Sequence, residues 1–124
     1  MTVEVTYENY QKSLKITRLI DAKLNKIWED TKYHSDLQFV LDHPAFKELV
    51  EMGPKIIPYI VHCMTQKKAD WTHMILLGTI TKENPIAPQH AGNFNMHLAE
   101  WIIWYEHSKY KCHDVYYGLL NEET

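Results

Sequence analysis

His43–Val61 reads HPAFKELVEMGPKIIPYIV. Two apolar patterns with helical spacing flank Gly53-Pro54, and further prolines stand at Pro44 and Pro58. Proline suits the first residue of a helix, where a missing N–H costs little, and glycine suits the residue just past a helix end. Pro44, Gly53 and Pro54 therefore read as start, stop, start. Phe46, Leu49, Val50 and Met52 form the apolar face of the first helix, and Gly53 is expected in a left-handed cap. Ile56, Ile57, Ile60, Val61 and Met64 form the stripe of the second. Pro58 lies inside that second run. Its missing N–H would have bonded the Pro54 carbonyl, so a kink or a tight first turn is expected there.

Outward from this corner the helical reading continues. Upstream, Ile16, Ile20, Leu24, Ile27 and Trp28 recur at helical spacing and predict a helix from about Gln11 to Thr31. Its lysines alternate with Asp21, Glu29 and Asp30, as on a solvated face. Val3, Val5 and Tyr7 alternate, and with no second strand to pair they predict a short extended N-terminal arm over residues 1–10. Ser35 is the expected N-cap of a short helix with Leu37, Val40 and Leu41 on its buried side. Downstream, Asp70 is the expected N-cap of a helix carrying Trp71, Met74, Ile75, Leu77 and Ile80. Gly78 inside it suggests close helix packing. Residues 82–92, with Pro85 and Pro88, read as a loop anchored by its Asn84-Pro85 turn and by Ile86. A last helix is expected from about Asn93 to Lys109. Beyond Cys112 the tail holds Val115, Tyr116, Tyr117, Leu119 and Leu120, too apolar for a loose end.

The fold class is therefore all-α: one domain over 1–124, a compact bundle of five or six helices with one HEAT-like hairpin. The segment LVEMGPKIIPYIVHCM resembles one turn of a HEAT-type repeat. A solenoid needs at least about three such repeats, more than this length holds, so the hairpin is expected to be closed by terminal helices. A wider resemblance spans Leu24 to Glu106. LNKIWEDTKYHSD, the His43–Val61 stretch, Trp71, ITKENPI from Ile80 and AEWIIWYE from Ala99 together resemble a small uncharacterised prokaryotic family with His-Pro-aromatic, Met-Gly-Pro, Asn-Pro and Trp-x-x-Trp elements. That resemblance implies a fold and no activity.

Hydrophobic residues make up 45% of the chain and charged residues 23%, which places it among globular proteins able to bury a core. The net charge of −3 and a single arginine, Arg18, give no basis for nucleic acid as a partner. No apolar run is long enough for a bilayer, so no membrane is expected. Cys63 and Cys112 belong to no CxxC pair and read as thiols of a reducing compartment, and the polar N-terminus is no signal peptide. Cytoplasmic localisation is expected.

Chemistry finds little purchase. His43 follows Asp42 at a helix start, without a nucleophile nearby in sequence, and a capping role explains it. Cys112-His113 with His107 would need a second ligand pair, His62-Cys63, to hold zinc. No HExxH, ExxH, P-loop or GxGxxG is present. In the loop, Lys82, Glu83, Asn84 and His90 are candidate pocket residues. No catalytic residue, cofactor or metal is expected. The last helix is more telling: Leu98, Trp101, Ile102, Ile103, Trp104 and Tyr105 span a wider apolar arc than one neighbour covers. Ile103, Trp104 and Tyr105 are the expected partner-binding residues. The expected function is a non-enzymatic helical module for a protein partner or self-association, in the manner of a small bacterial or phage regulator, inhibitor or subunit. The alternative is a small metal-dependent or His-based hydrolase using His43, His90 or Cys112-His113.

Overall fold

The first long stripe is real and longer than its apolar residues alone suggest. Helix α1 runs Tyr7–Thr31 and buries Ser13, Thr17, Ile20, Leu24, Ile27 and Thr31. Its buried hydroxyls are satisfied within the helix: Ser13 Oγ donates to the Tyr10 carbonyl at 2.8 Å, Thr17 Oγ1 to that of Leu14 at 2.7 Å, and Thr31 Oγ1 to that of Ile27 at 2.6 Å. Small polar residues can thus join the core without an orphaned group. The computed structural model describes residues 6–112 and 115–120.

Thr6 caps α1 by accepting the Asn9 N–H at 3.1 Å. The expected extended arm is therefore helical from Tyr7 onward, because a threonine cap outweighs the alternation of Val3, Val5 and Tyr7. Residues 1–5 of that arm lie outside the described residues. Trp28, expected on the buried stripe, stands at its edge and stays partly exposed.

Helix α2, Leu37–Leu41, is capped by Asp36 rather than Ser35; the Asp36 carboxylate accepts the Gln38 N–H at 2.9 Å. Helix α3, Pro44–Met52, starts with Pro44 in its first turn and buries Ala45, Phe46 and Leu49. Gly53 follows with φ 76° and ψ −164°. The positive φ is as expected, but the left-handed helical cap is not: an extended ψ belongs to a region essentially reserved for glycine. Gly53–Ile56 then form a 3-10 turn, and α4 runs Ile57–Thr65 with Pro58 in its first turn. The Ile57 N–H bonds the Pro54 carbonyl three residues back. This is the tight first turn anticipated from Pro58, whose lost N–H leaves the α-helical ladder to begin later.

Helix α4 is the axis of the core. Ile57, Pro58, Tyr59, Ile60, Val61, Cys63 and Met64 are all buried. A helix apolar on every side has to be enclosed, and α4 is enclosed by α5 (Trp71–Thr81), α6 (Phe94–Glu106) and α7 (Val115–Gly118). Helix α3 finds its main neighbours in α1 and α5. Helix α7 packs on α1 and α4, and Leu119 just after it is fully buried, as the apolar tail implies. Gly78 has no neighbouring helix within 4 Å of where a Cβ would stand, only the Glu83 carbonyl at 3.7 Å. Close helix packing therefore does not account for it. Among the described residues no strand occurs, and no helix is long and apolar enough to cross a membrane.

Candidate functional site

Helix α6 is capped by Asn93, whose side chain accepts the Met96 N–H at 3.1 Å. It stops at Glu106, short of Lys109, because the chain turns: Ser108 N–H and Oγ both bond the Tyr105 carbonyl, and His107 Nδ1 lies 3.0 Å from the Ile103 carbonyl. The three expected contact residues part company here. Ile103 points outward and is 59% exposed. Trp104 is half-buried; its ring meets that of Trp101 edge-on at 5.1 Å and lies 5.9 Å from that of Tyr110. Tyr105 is 6% exposed, and its hydroxyl accepts the Cys112 N–H at 3.0 Å. Tyr105 is thus a core residue and not part of an exposed face: it lies four residues beyond Trp101, on the same inward side. Ile103, Trp104 and Tyr110 edge a cleft of about 630 Å³ that also touches Thr81 and Glu83.

A second apolar surface was not legible in the sequence. Helix α2 has no buried residue. Leu37, expected inward, is 52% exposed, Phe39 is 51% exposed and Tyr33 is 90% exposed. Phe39 stacks on His34 at 4.1 Å, and His34, Leu37, Trp28 and Trp71 line one cleft of about 310 Å³. The only advance signal was the crowding of Tyr33, Leu37 and Phe39 around a piece too short for a reliable period.

The histidines are placed as follows. His43 caps α3: its Nδ1 accepts the Ala45 N–H at 3.1 Å, which leaves Nε2–H to donate to Asp30 at 2.8 Å. Both ring nitrogens are occupied. His43, first among the causes, and Lys26 hold the Asp30 carboxyl below its usual range. His90 bonds Glu100, which also accepts the Ala87 N–H at 2.8 Å. The bond to His90, above all, lowers the Glu100 carboxyl from its ordinary value. These bonds tie the 82–92 loop to α6, and Ile86 packs on the core as its anchor. Asn84 Oδ1 closes the turn by accepting the Ile86 N–H at 3.2 Å. Lys82 occupies a left-handed helix end, with φ 59°. Cys112 and Cys63 are thiols rather than disulfide partners, and His113 lies outside the described residues. Among the described residues no three His, Cys, Asp or Glu side chains converge on a metal-sized site.

Asp70 and His73 form a reciprocal cap at the start of α5. The Asp70 carboxylate accepts the Thr72 N–H at 2.8 Å, and His73 Nδ1 accepts the Asp70 N–H at 3.1 Å. Nearby, the Tyr59 hydroxyl donates to both Asp21 oxygens, at 2.8 and 2.9 Å. Burial first, then this bond, raises the Tyr59 hydroxyl pKa.

Comparison of the chain with protein-family models, with curated proteins and with solved structures yields no match.

Proposed function

We propose that this chain is a non-enzymatic, cytoplasmic helical module that binds a protein partner or a second copy of itself, HEAT-like at its Pro44–Met64 corner. The observation that carries this reading is α2: a helix with no buried residue that holds a leucine and a phenylalanine each half in solvent. Isolated exposed apolar residues need no explanation, but a cluster of them beside a tryptophan-lined cleft has the make-up of a contact surface. Ile103 and Trp104 form a second apolar place at the end of α6. The engagement of both His43 nitrogens, one in a cap and one in a hydrogen bond to Asp30, supports a structural role for that residue over a catalytic one. A regulator, an inhibitor and a small subunit all fit a compact body with two apolar surfaces.

The test compares Phe39→Lys, Ile103→Lys and the parent chain by sedimentation equilibrium, and by capture of partners from the native host. Both positions are exposed, so thermal stability should change little. Loss of association in Phe39→Lys assigns the α2 surface, and loss in Ile103→Lys assigns the α6 end. A parent chain that neither self-associates nor retains any protein would refute the reading.

A further inference from the structure

A cleft of about 520 Å³ opens between α1, α4 and the turn into α5. His73 lines it at 5% exposure. Because Nδ1 accepts the Asp70 N–H, the neutral ring carries its proton on Nε2. Among the described residues that Nε2–H has no hydrogen-bond partner. Lys67 and Lys68 stand at the rim, and neither is in an ion pair among the described residues.

Two carboxylates also line the cleft, each already engaged. Asp21 takes the Tyr59 hydroxyl, and Asp70 takes the Thr72 N–H. Beside them stand the His73 Nε2–H and the two lysines, next to an apolar wall of Leu24, Trp28 and Ala69. The lysine pair is also held in an unusual way. The Lys68 N–H bonds the Cys63 carbonyl and the Lys67 N–H bonds that of Met64, the pattern that closes a helix on a left-handed residue. Lys67 takes that position with φ 58°, where glycine would sit without strain. A cation thus stands at a point where the backbone favours glycine.

We propose that this cleft binds a small aromatic monocarboxylate, with its carboxylate on His73 Nε2–H and the lysines and its ring against Trp28. Asp21 and Asp70 line the same cleft and would repel a second negative charge on the ligand, so a dianion is poorly matched.

The probe is phenylacetate, titrated into the full chain by calorimetry. Saturable binding is expected, with neutral phenylacetamide and dianionic phenyl phosphate both weaker. Lys67→Gly separates binding from folding: the fold should melt no lower than the parent, since glycine suits the left-handed position, while phenylacetate affinity falls by about fivefold with the lost rim charge. Absence of saturable binding overturns the proposal. So does phenylacetamide binding as well as the acid, phenyl phosphate binding more tightly, or Lys67→Gly binding like the parent.

Discussion

Gly53 is the position at which the backbone reading can be tested most directly. Its φ of 76° and ψ of −164° fall in a region that L-residues with a side chain enter only under strain, of about 1–3 kcal/mol. A Cβ added there meets nothing within 4 Å, so steric collision with the rest of the protein contributes nothing. Gly53→Ala then isolates the backbone term. Replacing glycine also restricts the unfolded chain, which returns roughly 0.4–1 kcal/mol. The net loss for alanine should be about 1–2 kcal/mol. At about 4 °C per kcal/mol for a domain of this size, the melting temperature falls by roughly 4–8 °C. Asparagine is the informative variant. It tolerates the left-handed helical region better than other side chains, but not the extended one found here. Gly53→Asn should therefore cost about as much as Gly53→Ala. A D-alanine placed at 53 by ligation should cost nothing, because the mirror of this conformation lies in the ordinary extended region. Thermal melts of the three proteins decide the matter. If asparagine melts near the parent while alanine does not, the residue is an ordinary left-handed cap and the account of the corner is wrong.

Trp101→Ala should lose about 3–5 kcal/mol in a denaturant melt, as a buried ring does, whereas Trp104→Ala should lose about 1–2 kcal/mol, because its half-exposed ring gives up mainly the edge-on contact with Trp101; equal losses would place both rings in the core. Gly78→Ala should stabilise by up to about 1 kcal/mol, since the added methyl meets only the Glu83 carbonyl at ordinary contact distance, and a lower melting temperature would show a constraint that this spacing does not reveal. Burial pushes the Cys63 thiol from 9.0 up to about 11. The folded state favours the protonated thiol, so its contribution to stability is complete below pH 9.0 and is lost as pH rises through about 11. Iodoacetamide at about pH 8 should label half-exposed Cys112 well before Cys63, as read by peptide mass spectrometry, and equal labelling of the folded protein would contradict the burial.

The corner was legible because proline and glycine act locally. Pro44, Gly53, Pro54 and Pro58 each impose a backbone consequence that needs no knowledge of distant neighbours, and each left its mark near the expected place. Buried stripes were legible where they ran for several turns, as in α1 and α6. What failed was short or depended on competition. Asp36 took the cap expected of Ser35, since adjacent residues with similar capping power differ only in how the chain enters the turn. Leu37 lies outward because a helix of five residues carries too little of a period to fix its inner face. Tyr105 belongs to the core because the width of an apolar arc does not say how many neighbours surround it; here α6 meets both α4 and α5. The donor-lined cleft was invisible in the sequence, since His73, Lys67 and Trp28 approach one another only when α1, α4 and α5 pack.

Helix α2 carries a consequence for motion. It contributes no fully buried side chain, and its anchors are peripheral: the Asp36 cap, the Gln38–Asp42 hydrogen bond at 2.8 Å and, just beyond, the His43–Asp30 pair. Opening it uncovers only the limited apolar surface that Val40 and Leu41, partly buried against the core, cover. Its amides should therefore exchange with solvent through a local event far cheaper than global unfolding, while those of α4 wait for the whole fold to open. The surface proposed to meet a partner is thus also the segment freest to reshape itself on contact.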